Sequence, residues 1–314
     1  MANAVITGAS GSLGSSGMGS IMTVLADEFL KVKRNRGHVI KYCNTNGEGV
    51  GVPHGTVRFL VPPTGATIND DVDGTSPNYD DSVGAFKDVT LSSHKSVKFG
   101  FSQIARTLDG GRSIEPIVAS RMADLFNAVE ADVAALASTF TNTVGTASVA
   151  LTEATYDAGR AKLIAAMVPE GDPLFGVYHY NATSWQALAA LASFREYRIT
   201  GRENPNVSGE FGVTPVYWKN AYHIESQNVK FVDTTTDETY NYLMHRDAIL
   251  VAMKAPEVPM SSGVEAMNFL DPESGIEYQI LRYWDKDKDA DTLKIHTLYG
   301  KSLGRADWGC ILLA

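Results

Sequence analysis

The clearest periodic signal in the chain runs from Ser113 to Phe140, where Val118, Met122, Leu125, Phe126, Val129, Val133, Leu136 and Phe140 recur at the 3.6-residue spacing of one helical face. It predicts a long amphipathic helix, capped by Ser113 and tolerant of Pro116 in its first turn, spanning roughly 40 Å. A period of two marks other segments. His54 to Pro62 reads HGTVRFLVP and Lys87 to Ser102 reads KDVTLSSHKSVKFGFS, with Val97, Phe99 and Phe101 alternating against polar neighbours, so two strands are predicted. The polar stretch between them contains Asp70, Asp71, Asp73, Asp80 and Asp81 and is much longer than a hairpin turn. The pair therefore reads as a two-stranded projection with a long tip.

Two shorter helices are predicted, one from Thr152 to Met167 stopped by VPEGDP, the other after Asn181 with Trp185, Leu188 and Leu191 on one side, separated by the strand FGVYHY. Beyond Ile199 the chain turns strand-rich: TPVYWKN, HIESQNVKFV, then HRDAILVAMKA, which reads equally as strand or helix. The alternating pair IEYQILRYW and TLKIHTLY follows around DKDKDAD, and CILLA closes the chain as a last strand. At the other end, the first twenty residues, rich in Gly, Ser and Ala, gain little by packing and read as an extended arm. A helix follows from about Ser20 to Arg34, with Ile21, Leu25 and Phe29 on one face and Lys31, Lys33, Arg34 and Arg36 favourably placed at its C-terminal end. No period of about 20 to 50 residues repeats, which excludes a solenoid or propeller, and the fold class is α+β.

Length and composition narrow this further. With 314 residues, 44% of them hydrophobic, the chain has material for one interwoven unit with a substantial core. A net charge of -9 with 20% charged residues argues against a broad face for nucleic-acid phosphates. Cys43 and Cys310 are too few for a disulfide framework or a four-ligand zinc site and are expected to be reduced thiols. No apolar run approaches the roughly 18 residues that span a bilayer, and the start MANAVITGASGSLG lacks the charged opening of a secretory signal, so a cytosolic protein without a membrane partner is expected.

Candidate chemistry is weak throughout. Thr7-Gly8-Ala9-Ser10-Gly11-Ser12-Leu13-Gly14 matches the TGxxGxxG pattern of extended short-chain dehydrogenases, whose glycines bring a dinucleotide pyrophosphate to a helix N-terminus. Only MANAVI precedes it and SSGMGS follows where the helix should begin. The Tyr that such enzymes place four residues before a Lys is missing, arrangements such as Tyr156 with Arg160 and Tyr278 with Arg282 offering an Arg instead. Asp285, Asp287, Asp289 and Asp291 alternate like calcium ligands, but Ala290 stands where an EF-hand needs Gly and His296 where it needs Glu, so a solvated hairpin turn is expected. Gly300-Lys301-Ser302 lacks the upstream Gly of a phosphate loop, Ile295 standing there, and reads as an ordinary loop. The histidines at 38, 54, 94, 179, 223, 245 and 296 form no HExxH pair, and neither Ser10 nor Ser16 completes GxSxG. The expected catalytic, cofactor and metal sites are none.

Taken in order, a small-residue arm, a short basic-ended helix, a two-stranded projection, one long helix, a mixed region and a final strand pair resemble the Hong Kong 97-type major capsid proteins of tailed bacteriophages. VTLSSHKSVKFGFS is similar to the family's second loop strand leading into the main helix, and VPEGDPLFGVYHYNATSWQALAAL to its apical strand and helix. TPVYWKN followed by HRDAILVAMKA, and the ending LKIHTLYGKSLGRADWGCILLA, resemble later parts of the same fold. The resemblance implies an N-terminal arm at 1–53, an extended loop at 54–104, a peripheral domain at 105–143 and 258–300, and an apical domain at 144–257 and 301–314. It implies a structural protein that forms hexamers and pentamers of an icosahedral shell in the host cytoplasm and encloses double-stranded DNA without reading its sequence.

A separate scaffolding protein is expected, because no long charged segment precedes the arm, together with a portal protein and room for a decoration protein. No crosslink between subunits is expected. An encapsulin-like compartment uses the same fold and is the alternative. Opposite charge suggests that Lys31, Lys33, Arg34 and Arg36 meet Asp70, Asp71 and Asp73 of an adjacent subunit at about 0 to 1 kcal/mol per pair; the other reading leaves both clusters solvated.

Overall fold

The computed structural model describes residues 39–45, 47, 55–61, 85–102, 114–194, 216–232, 237–257, 264–270, 276–288 and 290–314. The Gly-rich arm, the helix expected from Ser20, the projection's tip and the Ser113 cap lie outside these residues.

The long apolar stripe forms helix α1 (Ile114–Ala134), which tightens into a 3-10 turn (Ala135–Thr139) instead of running as regular helix to Phe140. The side chains there supply the reason. Ser138 Oγ and Thr139 Oγ1 donate to the carbonyls of Ala135 and Leu136 at 2.8 and 2.6 Å, competing with the regular ladder, and Phe140 turns extended. Met122, Leu125, Phe126, Val129 and Val133 are buried, as the periodicity requires.

Their partner is a five-stranded sheet ordered β10 (Ile249–Lys254), β13 (Ala290–Leu303), β12 (Glu277–Asp285), β11 (Val264–Leu270), with β3 (Ser93–Ser102) on β13. All pairs are antiparallel. Tyr278, Ile280, Leu293, Ile295 and Tyr299 form one core with the α1 stripe. HRDAILVAMKA resolves its ambiguity as a 3-10 turn (Arg246–Ala248) followed by β10. Because Leu298 and Tyr299 pair with β3 and β10 at once, β12 and β10 lie end to end along one edge of β13 and β3 lies along the other.

The second predicted strand, Lys87 to Ser102, is two strands. β2 (Ala85–Thr90) pairs with β1 (Thr56–Val61) in a separate ribbon, and β3 begins after Leu91 and Ser92 and pairs with β13. Gly300, expected in a loop with Lys301 and Ser302, lies instead inside β13 opposite Ala252. A side chain at 300 would overlap the carbonyl oxygen of Thr90, so glycine lets the ribbon start flush against the sheet.

A second, mixed sheet runs β4 (Asn142–Gly145), β14 (Gly309–Leu313), β9 (Glu238–Met244), β5 (Leu174–His179), β7 (Ala221–Ser226), β6 (Val216–Trp218), with β8 (Phe231–Val232) on β9. The β4–β14 and β5–β7 pairs are parallel. Helix α2 (Glu153–Ala165) is capped by Thr152 Oγ1, which accepts from Thr155 N–H, and lies close on β14 because Gly159 carries no side chain toward Leu312. With α3 (Trp185–Ala190) it encloses a second core of Tyr156, Leu163, Tyr178, Leu188, Phe194, Trp218 and Leu312. Among the described residues, no helix is long and apolar enough to cross a membrane.

Candidate functional site

The ribbon has two unlike faces. On β1, Val57, Phe59 and Val61 are buried and join Val89 of β2 and Leu250 and Ala252 of β10 in a small core, which anchors the ribbon's root to the sheet. The opposite face carries Arg58 and Leu60, paired in register with Asp88 and Phe86. Arg58 Nε donates to Asp88 Oδ1 at 2.9 Å and the guanidinium lies 5.6 Å from the Phe86 ring centre. That hydrogen bond holds the Asp88 carboxyl below its usual range. Beyond this pair, Leu60 is 58% and Phe86 57% exposed, so two large apolar side chains stand side by side in water.

A second such surface closes one end of the mixed sheet, where β4, β14 and β5 finish and β9 begins. The connections there hold Val149, Tyr180 and Phe231, which are 54%, 49% and 40% exposed. His179 stacks on Phe231 with ring centres 5.3 Å apart and 4° between planes. Burial lowers the His179 pKa, partly opposed by a hydrogen bond with Asn181, and the buried ring backs the Phe231 side chain from beneath. The other end of the sheet is covered: Trp308 and Phe140 belong to the core beneath α1, and His245 meets Trp308 edge-on at 4.9 Å.

Among the described residues, nothing resembling a reaction centre assembles. Tyr156 and Tyr278 are core side chains, and burial pushes the Tyr156 hydroxyl far above its ordinary pKa. His223 is buried, its ring nitrogens 3.1 Å from Tyr178 Oη and from the Trp218 carbonyl oxygen. Desolvation lowers its pKa to about 4. His94 and His296 face each other at 2.9 Å across β3 and β13. The Asp-rich stretch is a hairpin turn between β12 and β13, as expected: Asp285 accepts from Asp287 N–H, and Asp291 is held by Arg282, whose Nε lies 2.9 Å from Oδ2. Asp289 is outside the described residues. Among those residues no group of three or more His, Cys, Asp or Glu could hold a metal. A cavity of about 300 Å³ at the ribbon's root is lined by Gly55, Thr56, Leu91, Lys254, Pro256 and Glu257.

The contact residues expected from charge, Lys31, Lys33, Arg34, Arg36, Asp70, Asp71 and Asp73, all lie outside the described residues. Leu60, Phe86, Val149, Tyr180 and Phe231 were not singled out by the sequence. One signal for them exists: Leu60 shares Arg58's side of an alternating strand whose other side is already apolar.

No protein-family model matches the chain. No curated protein matches it. Solved structures do. A chain of Mycobacterium phage Che8 aligns with a TM-score of 0.53 at 15% identity over 88% of this chain and 91% of that one. One of Gordonia phage Cozz gives 0.52 at 16% identity over 88% and 86%. One from the capsid of an empty GTA particle gives 0.52 at 14% identity over 84% and 86%. At such identities the likeness is one of fold, and the fold is the α+β Hong Kong 97 type.

Proposed function

We propose that a chain with this fold and these two exposed apolar surfaces is the major capsid protein of a tailed bacteriophage, forming hexamers and pentamers that close into an icosahedral shell around a double-stranded DNA genome. The observation that carries the reading is the match in fold to chains of phages Che8 and Cozz over 88% of the length. The surfaces supply its physics. A monomer that leaves Leu60, Phe86, Val149, Tyr180 and Phe231 in water gains by covering them with other copies of itself, and a closed symmetric lattice multiplies modest contacts into a stable whole.

On this reading residues 1–53 are an arm and 54–104 an extended loop, both reaching neighbouring subunits. Residues 105–143 and 258–300 form a peripheral domain around α1 and the five-stranded sheet, which also takes in β10, and 144–257 with 301–314 form an apical domain around the mixed sheet. The protein has no catalytic role; its partners are its own copies, a separate scaffolding protein and a portal protein, with room for a decoration protein, and it assembles in the host cytoplasm into the virion. The test is electron microscopy with sedimentation of the purified chain, alone and with its candidate scaffold. Closed shells, or isolated hexamers and pentamers, are expected; a small stable oligomer that binds a nicotinamide nucleotide would overturn the reading.

Opposite charge further supports contacts between Lys31, Lys33, Arg34 and Arg36 of one subunit and Asp70, Asp71 and Asp73 of the next. Reversing either cluster is expected to weaken assembly and reversing both to restore it. Failure of the double reversal to rescue would count against the pairing.

A further inference from the structure

Glu130 is fully buried in α1, one turn from Phe126 in the middle of the apolar stripe. Burying a carboxylate is costly unless donors meet it. Here the donors come from the short segment Val39–Asn44: Oε2 accepts from the backbone N–H groups of Val39 at 2.9 Å and Ile40 at 3.3 Å. These open the 3-10 turn Ile40–Tyr42, whose first amides have no partner within the turn, so Oε2 and the turn's opening amides satisfy each other.

The rest of the segment is held as firmly. Val39, Ile40 and Cys43 sit in the core with Phe126 and Val129. Asn44 N–H donates to the Ile249 carbonyl and the Val251 N–H donates to the Asn44 carbonyl, both at 3.0 Å, adding a parallel bridge to β10. Asn44 Nδ2 donates to Asp247 Oδ1 at 2.6 Å, and Arg246 Nε donates to the Cys43 carbonyl at 3.3 Å. Residues 39–44 therefore touch α1, the 3-10 turn before β10, and β10 itself.

We infer that Glu130 is a latch: a positioning residue that fixes the root of the N-terminal segment against α1, so that residues 1–38 depart from a set point and any pull on them is delivered to α1 and β10. Undocking the root would take these two donors from Oε2, which favours the docked state. The role in assembly rests on the capsid reading; the latch itself does not.

Hydrogen exchange on the full-length, unassembled chain tests it. In Glu130→Gln the peptide covering 39–45 is expected to exchange faster by about tenfold or more, the loss anticipated for one charge-assisted hydrogen bond, while β13 keeps its rate. Leu163→Ala, a change in the second core beneath α2 away from the segment, separates this from general loosening, because it should raise exchange without singling out 39–45. Unchanged exchange of 39–45 in Glu130→Gln, or a rise matched in β13, overturns the latch. Particle yield is then compared between wild type and Glu130→Gln. A lower yield is expected; local loosening with a normal yield overturns the role in assembly. Absence of particles from the wild type overturns the capsid reading and leaves the exchange result standing.

Discussion

Replacing Leu60 and Phe86 with serine should raise the concentration needed for assembly while leaving the subunit folded. Complete burial of a side chain of this size contributes about 1.5–3 kcal/mol, and each of these keeps rather more than half of its surface in water, 58% and 57%. Covering the pair at one contact is therefore worth roughly 2–3 kcal/mol, a factor of about 30 to 150 in the contact's equilibrium constant. In a lattice every subunit repeats the contact, so the concentration at which shells first form should rise by at least that factor. The fold should not notice, because neither side chain belongs to the ribbon's buried face and exposed substitutions usually stay within about 0.5 kcal/mol. Sedimentation velocity across a concentration series gives the assembly threshold, and urea unfolding of the unassembled chain gives stability. Shells forming at the wild-type threshold would refute the reasoning. So would a large loss of stability, since it would mean that the chain itself already covers this face.

Two further outcomes follow from side chains inside the subunit. His223 stays neutral in the folded chain down to about pH 4, whereas an unfolded imidazole takes up its proton near 6.5, so this residue's contribution is intact above pH 6.5 and is lost as the pH falls to about 4. The loss amounts to about 3 kcal/mol; urea unfolding at pH 7 and pH 4.5 should show a markedly smaller pH effect in His223→Phe, and an equal effect in both proteins would remove His223 from the account. Gly300→Val should drive the ribbon's root off β13 by colliding with the Thr90 carbonyl, destabilising by about 1–3 kcal/mol and weakening assembly, and a stability change within about 0.5 kcal/mol would show that the ribbon does not need that approach.

Much of the architecture was legible where one face of an element meets one core. The α1 stripe and the β12–β13 hairpin declared themselves through their periods, 3.6 and two. β9 did not, although it lies at the centre of the mixed sheet, because a strand covered on both faces loses alternation, Tyr242 and Met244 entering one core and Leu243 the other. Its Thr239 and Asn241 are buried polar residues, and Asn241 is accommodated by hydrogen bonds to His179 N–H, Ser184 Oγ and the Leu312 carbonyl. The division between β2 and β3 was invisible for another reason: the apolar pattern runs on through Leu91, and only the change of partner from β1 to the distant β13 separates them. Gly300 was misread because a glycine in a strand and a glycine in a loop look alike until the neighbouring backbone is known. The exposed surfaces were hardest to see, since an apolar residue in a strand is ordinarily assigned to its own core. Leu60 alone broke the alternation that would have hidden it.

β3 pairs with β13 through ten consecutive residues, from Ser93 opposite Tyr299 to Ser102 opposite Ala290, and the chain enters it directly from the ribbon. Tension applied along the ribbon therefore reaches the subunit as shear, with the whole ladder resisting together, whereas force across it would peel the same bonds one after another.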